Sequence, residues 1–337
     1  MEDVGKILSH FNINNVKAVN PFLWDGWSSH KLYLIETEKE RYLLKSKKQD
    51  HSESLIKASN ITNYLHDAGL PFISQPIRTK HNKLFYTDAD NNWWELQTYM
   101  EGSIIPAEET NEKHVTSLAK ALASYHKLFI DQEVLAKSLF IPKSTEYTYD
   151  FRDEKLEKER NRYANILSQE LLIDTKRYKN FFDQYVIAFE KIQKLIKNIN
   201  PTEHKKTLIH RDLGGNVLFN KTSKEVAAII DWDLAQFGDL VVDICAVSGV
   251  IKNSLNDLFI ESYDSYIKLS EQELKFIPVY KYMSFVKSNK WWITYNIKLL
   301  QNEGANEGQD REKILKNIEE TFDLWDSKLS VLEKAGS

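Results

Sequence analysis

Two stretches near the middle of the chain are the most informative part of the sequence: LIHRDLGGNVLF at 208–219 and AAIIDWD at 227–233. In each stretch a short apolar, strand-like run ends in polar side chains. The chemically capable residues are His210, Asp212, Asn216 and Asp231. Carboxylate and amide oxygens suit a hard cation such as Mg²⁺. The two stretches therefore predict small strands that hold a site between them.

The chain before these stretches has the pattern of a small β lobe. Two strand-like runs, Lys31–Ile35 and Arg41–Lys45, flank a polar stretch, which predicts a hairpin. Residues 51–68 follow with helical periodicity, and an aromatic strand-like run comes later at 93–100. We therefore expect residues 1–102 to form an N-terminal lobe with an antiparallel sheet and one helix.

Most of the chain after residue 102 has helical periodicity, interrupted by the two motif stretches. Ser270 and Glu273 have the spacing of a capping box ahead of a further helix. We therefore expect residues 103–337 to form a larger helical C-terminal lobe. The whole chain is predicted to have an α+β, bilobal fold.

Composition limits the classes of function. The net charge of -4 and the pI near 6.2 argue against a nucleic-acid partner, because such proteins usually present a basic surface. No apolar run of about 18 residues occurs, and the start has no signal-peptide pattern, so neither membrane insertion nor export is expected. The single cysteine, Cys245, lies in an apolar run and is predicted to pack in the core. We expect a cytoplasmic protein.

Together with Lys45 of the hairpin, the two stretches resemble the aminoglycoside phosphotransferase family, which includes choline, homoserine and methylthioribose kinases and has a protein kinase-like fold. The resemblance covers roughly residues 20–250. It implies transfer of a phosphoryl group from ATP or GTP to a hydroxyl group of a small molecule. Asp212 would be the catalytic base, while Asn216 and Asp231 would bind Mg²⁺.

Further residues follow from the same resemblance. His210 and Asp243 would support the catalytic loop, although Asp243 also fits an ordinary acid in the first turn of a helix. Lys45 would contact the phosphates of the nucleotide. The complete set of expected nucleotide-binding residues is Lys45, Gly26, Ser28, Ser29, Glu53, Thr98 and Met100. The residues between 26 and 29 would cover the phosphates, and those at 98 and 100 would lie in the hinge between the lobes. The alternative is that Lys45, Lys47 and Lys48 together form an ordinary solvated surface.

Two positions depart from the family pattern. Asn216 follows Asp212 by four residues, whereas the kinase loop has five. Glycine reaches backbone angles that other residues avoid, so the pair Gly214-Gly215 is expected to re-aim Asn216, with Asp233 as the substitute ligand. On the helix after the hairpin, Ala58 stands where a carboxylate is expected to hold the lysine, and Glu53 is the nearest replacement.

Three readings of the function remain open from the sequence. A protein kinase would share Arg211, where small-molecule relatives commonly have Gly, but the chain has no Ala-Pro-Glu segment after Asp231. A non-catalytic, spore-coat-like relative is a second alternative. The preferred reading is a small-molecule kinase whose acceptor is an aminoglycoside, amino alcohol, amino acid or amino sugar. A cationic acceptor would suit the aromatic residues Trp291, Trp292 and Tyr295 and the acidic stretch 303–310, unless these are simply core and solvated loop.

Overall fold

A computed structural model describes residues 4–22, 31–48, 52–139, 174–197, 203–301 and 311–335, together with the single residues 141, 158, 161 and 165. The chain divides into two compact units. One contains Met1–Ser144 and Lys205–Leu269, and the other contains Thr145–His204 and Ser270–Ser337. The lobe boundary predicted after Gly102 lies inside the first unit and stays a prediction.

The first unit begins with an antiparallel sheet. Its strands are β1 (Ala18–Pro21), β2 (Lys31–Glu36), β3 (Arg41–Lys48), β4 (Pro76–Ile77), β5 (Tyr86–Thr87) and β6 (Asn92–Thr98). Their order is β1-β2-β3-β6-β4, and β5 also pairs with β6. The predicted hairpin is confirmed as β2 and β3, in which Leu34 faces Leu43.

Helices make up most of the remaining described chain, which confirms the predicted α+β class. They are α1 (Val4–Leu8), α2 (Ser52–Asp67), α3 (Glu112–Phe129), α4 (Glu133–Ser138), α5 (Thr175–Lys197), α6 (Val241–Ala246), α7 (Asn256–Tyr266), α8 (Glu271–Gln301) and α9 (Arg311–Ala335). The predicted helix at 51–68 is α2, and Gly69 follows it with a φ of 83°, the left-handed conformation that commonly ends a helix. No helix in the described ranges has both the length and the apolar character needed to span a bilayer.

Strand β3 directs its side chains alternately to the two faces of the sheet. Leu44 is buried in a core with Trp94 and Leu96 of β6, and this core also includes residues of α1. Lys45 and Lys47 belong to the opposite face, because residues two apart along a strand share a face. The alternation therefore places both lysines away from the apolar core.

Two small hairpins in the same unit contain the motif stretches. Strand β7 (Lys206–Ile209) pairs with β10 (Gln236–Asp239), and β8 (Val217–Phe219) pairs with β9 (Val226–Ile229), both antiparallel. The segment after β6 is bonded to β8, since Ser103 N donates to Phe219 O at 3.0 Å. Gly102 allows this approach: a Cβ atom there would lie 2.8 Å from Leu218 Cβ and 3.0 Å from Ala227 Cβ.

The second unit is helical in its described part. Arg177 of α5 binds Glu319 and Asp323 of α9, each at 2.6 Å, and these carboxylates raise the pKa of its guanidinium. Trp325 of α9 is fully buried. The capping box is confirmed at the start of α8, because Ser270 N donates to Glu273 Oε2 at 2.7 Å and Glu273 N donates to Ser270 Oγ at 3.2 Å.

Candidate active site

His210 joins the two motif stretches. Its side chain is buried where the chain leaves β7. Nε2 lies 2.8 Å from Ile230 O, and Asp212 N donates to Nδ1 at 3.3 Å. These partners fit the tautomer with its proton on Nε2. Because Ile230 directly precedes Asp231, the histidine holds the catalytic loop next to the second aspartate.

Asp243 holds the backbone of the catalytic loop. It lies in the first turn of α6, yet its carboxylate accepts hydrogen bonds from His210 N at 2.6 Å and Arg211 N at 2.8 Å. Tyr125 Oη donates to it at 2.6 Å, and His126 Nε2 lies at 3.3 Å. Complete burial would raise the pKa of the Asp243 carboxyl, but the hydrogen bond and charge of His126, with its other partners, hold that pKa below its ordinary value. The carboxylate therefore connects the helices of this unit to the loop.

Tyr125 is a supporting residue that the sequence did not reveal. It is fully buried on α3, and its ring packs edge-on against Trp232, with the ring centroids 5.1 Å apart. His126 bonds Asp243 and also contacts Tyr263 Oη through Nδ1 at 2.6 Å. Nothing in the local pattern separates Tyr125 from an ordinary core tyrosine.

Two residues of the site have backbone angles that glycine usually adopts. Arg211 has a φ of 74° and Asp231 a φ of 61°. Such angles cost energy for residues with a side chain and cluster at functional sites. A glycine at position 211, which the family resemblance leads us to expect, would adopt this conformation without that cost.

The shortened loop between Asp212 and Asn216 closes through a tight turn. Asn216 N donates to Leu213 O at 3.1 Å. Gly215, the third residue of this turn, has a φ of 79°, which is the position and sign that a type II turn requires. Of the two glycines, Gly215 is therefore the one whose conformational freedom the turn uses.

Asn216 nevertheless lies beside the second motif. Its carbonyl accepts a hydrogen bond from Ile230 N at 3.0 Å, one residue before Asp231. Its Nδ2 donates to Asp212 O at 2.7 Å, and its Oδ1 receives no hydrogen bond from the described residues. The strand pairing thus brings the backbone of Asn216 next to the second motif despite the shorter loop.

The oxygen atoms of Asn216 and Asp231 fit Mg²⁺ by their chemistry. Among the residues that the structure describes, no three His, Cys, Asp or Glu side chains come together as a metal site. Mg²⁺ commonly takes only one or two protein carboxylates and completes its octahedron with water and phosphate oxygens. A site for this ion therefore does not need three such side chains, and Asn216 and Asp231 stay its predicted ligands.

Strand β3 contacts the Asp231 turn through two lysines. Lys45 Nζ lies 3.1 Å from Asp231 Oδ1, with 13% of the lysine side chain exposed. Lys47 Nζ contacts Asp233 Oδ2, with 1% of the lysine side chain exposed. The alternative of a solvated lysine surface is wrong for both residues. Asp233, the suggested substitute metal ligand, already has Lys47 as its partner.

The charges in this cluster shift one another's pKa values. Burial lowers the pKa of Lys47 to about 7, and the charge of Lys45 acts in the same direction. Burial would raise the pKa of Asp231, but Lys45 and Lys47 hold it below its ordinary value. Partial burial and the charge of Asp231 raise the pKa of Asp212. Asp231 is thus kept anionic, and Asp212 becomes a stronger base.

The structure does not place the other predicted nucleotide-binding residues of the first unit at the lysines. Gly26, Ser28 and Ser29 lie outside the described residues. Glu53 is exposed in the first turn of α2 and makes no ion pair with a described residue, so the structure does not bring it to the lysine. These assignments therefore stay predictions.

The hinge residues also differ from each other. The N–H and the hydroxyl of Thr98 are both engaged by Gln75, the residue before β4. Thr98 N donates to Gln75 O at 2.9 Å, and Thr98 Oγ1 accepts from Gln75 N at 2.8 Å. Met100 has no backbone hydrogen bond to any described residue, so its main chain is available to a ligand. The hinge prediction therefore fits Met100 better than Thr98.

The aromatic residues of α8 form an open stack in the second unit. The Trp291 and Trp292 rings lie 5.7 Å apart, and the Trp291 and Tyr295 rings lie 5.2 Å apart. Trp291 is 58% exposed, so the alternative of a buried core is wrong for this ring. The acidic stretch 303–310 lies outside the described residues.

Comparisons with known proteins find one matching family and several structures of similar fold. Residues 21–265 match the model of the phosphotransferase enzyme family, APH. A comparison with curated proteins finds no match. Among solved structures, spectinomycin phosphotransferase APH(9)-Ia in complex with ADP and spectinomycin is 21% identical, with a TM-score of 0.68 and 95% of each chain covered.

Two further structures have the same fold. The GDP complex of wild-type aminoglycoside 2'-phosphotransferase-IIIa is 16% identical, with a TM-score of 0.60 and coverage of 95% of this chain and 97% of that one. A microcompartment-associated aminopropanol kinase is 17% identical, with a TM-score of 0.62 and 99% of each chain covered. At these identities the likeness concerns the fold.

Proposed function

This chain belongs to the phosphotransferase enzyme family, and we propose that it transfers the γ-phosphoryl group of ATP or GTP to a hydroxyl group of a small cationic molecule. The observation that carries the proposal is the convergence of Asp212, Asp231 and Lys45 in one unit. Lys45 contacts Asp231, and His210 connects Asp212 N to the carbonyl of Ile230, the residue before Asp231. A base, a metal ligand and a phosphate-binding cation are therefore close together.

Each residue has a defined part in this proposal. Asn216 and Asp231 would hold Mg²⁺, which neutralises the phosphate charge when bound. Lys45 supplies a positive charge to the α and β phosphates from a mostly buried position, where charge interactions are stronger than in water. His210 and Asp243 fix the loop that presents Asp212. Positioning and electrostatics then supply most of the rate.

The transfer step needs no reactant besides the nucleotide and the acceptor. Asp212 accepts the proton of the acceptor hydroxyl while the hydroxyl oxygen forms a bond to the γ-phosphorus. The bond between the γ-phosphorus and the β–γ bridging oxygen breaks, and the nucleoside diphosphate leaves with that electron pair. Burial raises the pKa of Asp212, which favours proton acceptance, because a stronger base takes the proton more readily.

A cationic acceptor is supported by two observations. The Trp291 ring on α8 is exposed, and an exposed aromatic ring attracts ammonium groups. The solved structures of similar fold are named for spectinomycin and aminopropanol as their substrates, and both of these molecules contain amino groups and hydroxyl groups. A cytoplasmic location, where ATP and GTP are abundant, agrees with a sequence whose one cysteine, Cys245, is buried.

Nucleoside diphosphate release by the purified chain tests the proposal. The reactions contain Mg²⁺, either ATP or GTP, and pools of aminoglycosides, amino alcohols, homoserine or hexosamines, with Asp212→Asn as the matched control. We expect release in one pool and its loss in the variant. Nucleotide binding without turnover in any pool would favour the non-catalytic alternative instead.

A further inference from the structure

Helix α2 has no carboxylate at the position expected to hold the phosphate-binding lysine. Ala58 occupies that position and is 7% exposed. Its neighbour Ser59 instead donates a hydrogen bond from Oγ to Glu95 Oε2 at 3.2 Å. The helix therefore contacts a carboxylate that comes from strand β6.

Glu95 is the direct cross-strand partner of Lys45. Directly opposed residues of an antiparallel pair have Cβ atoms about 4.5–5.5 Å apart and point to the same face. The Glu95 side chain is half-buried, and its charge acts on Lys47 as well, raising the pKa of that lysine against the effect of burial. A carboxylate thus lies on the lysine face of the sheet without any contribution from α2.

The other two carboxylates near Lys45 and Lys47 have different roles. Asp233 is in contact with Lys47, and Asp231 has the proposed role of metal ligand. Ser59 bonds Oε2 of Glu95, while Oε1 receives no hydrogen bond from the described residues. Glu95 therefore offers one oriented oxygen to the helix and a second one to the lysine face.

We propose that Glu95 is the positioning carboxylate for Lys45, supplied by β6 in place of an acid on α2. This inference rests on the proposed function. Glu95 keeps the Lys45 ammonium directed at the phosphates when Asp231 binds the metal, because it is then the carboxylate that remains on the lysine's own face. Ser59 sets the orientation of that carboxylate from the helix.

Nucleotide affinity tests this inference without knowledge of the acceptor. Calorimetric titration of the full chain with MgADP and MgGDP compares the wild type with Glu95→Gln, a change that keeps the shape and removes the charge. We expect binding to weaken about tenfold, which corresponds to about 1.4 kcal/mol. Glu38→Gln is the matched control, since Glu38 is exposed and pairs only loosely with Lys17 at 3.8 Å.

Two further comparisons distinguish the positioning role of Glu95 from a purely structural one. Ser59→Ala removes the bond between the helix and the carboxylate but keeps the charge, so it should weaken binding less than Glu95→Gln does. In a double-mutant cycle with Lys45→Met, the two losses should be non-additive, because each variant removes the same interaction. Thermal unfolding of every variant monitors stability in parallel.

Three results would overturn the inference. They are unchanged affinity in Glu95→Gln, additive losses with Lys45→Met, and a loss in Glu53→Gln that Glu95→Gln does not share. A wild-type chain that binds neither nucleotide would contradict the proposed function itself, which distinguishes that failure from a failure of the Glu95 assignment.

Discussion

The Lys47 ammonium lies against the Asp233 carboxylate, and only 1% of the lysine side chain is exposed. Lys45 contacts Asp231 in the same way. Lys47 follows Lys45 by two residues on β3, and Asp233 follows Asp231 by two residues in the turn after β9. Residues two apart share a strand face, so β3 contacts this turn at two successive points. The position of Asp231 therefore depends on a strand that is remote in sequence.

Replacement of Lys47 by Met should destabilise the fold. The change keeps most of the volume but leaves the Asp233 carboxylate without its cation, and an uncompensated, mostly buried charge costs about 2–3 kcal/mol. Urea unfolding below pH 7, where Lys47 is charged despite its lowered pKa, measures this loss. The double variant Lys47→Met/Asp233→Asn should recover part of it, because neither residue is then charged.

The exposed Lys17 provides the control for that experiment. It pairs with Glu38 at 3.8 Å, and both side chains are more than half exposed. Lys17→Met should change stability by less than about 0.5 kcal/mol. An equally small effect of Lys47→Met would mean that the buried pair behaves like a surface pair, contrary to the structure.

Substitution of Asp243 by Asn should destabilise the loop that contains Asp212. An amide cannot accept the N–H groups of both His210 and Arg211 as a carboxylate does. A buried donor left without an acceptor costs about 1–3 kcal/mol. We therefore expect a clear loss of stability in urea unfolding and a fall in turnover, while Asp90→Asn, on an exposed loop, serves as the control.

The effect of Asp243→Asn should also depend on pH. The folded pKa of Asp243 lies below its ordinary value, so its contribution is fully present above the unfolded pKa of about 3.9. It is lost as the pH falls through the lower folded pKa. The stability difference between wild type and variant should therefore be constant near neutral pH and shrink below about pH 4. A difference that grows on acidification would contradict this sign.

The two adjacent glycines of the shortened loop should respond differently to alanine. Gly215 has a φ of 79°, and a side chain there costs roughly 1 kcal/mol even though no atom blocks it. Gly214 lacks both a positive φ and a close neighbour, so Gly214→Ala should be close to neutral. Unfolding free energies of the two variants compare these costs. Equal losses would mean that the turn does not depend on Gly215.

Much of this arrangement was predictable from local sequence patterns. The hairpin that carries Lys45 and the two motif stretches follow from strand periodicity with polar residues at the strand ends. Lys47, Tyr125 and Glu95 were not predictable as site residues. Their roles come from tertiary pairing: Lys47 with Asp233, Tyr125 with Asp243, and Glu95 across β3 and β6. The periodicity of the sequence does not indicate which residues pair in the folded chain.

The position of Asn216 shows the same limit. Its spacing from Asp212 departs from the kinase pattern, and the sequence left open whether it or Asp233 completes the metal site. The bond from Ile230 N to Asn216 O belongs to the pairing of β8 with β9. Spacing along the chain does not specify that register.

The role of Asp212 is tested most directly by measuring turnover and nucleotide affinity together in Asp212→Asn. In the proposed function Asp212 accepts the proton, while Lys45, Asn216 and Asp231 bind the nucleotide and its metal. We therefore expect a fall in kcat of about 10²–10⁴-fold with the nucleotide Kd nearly unchanged. An equal loss of both, or full turnover in the variant, would contradict the role of Asp212 as the catalytic base.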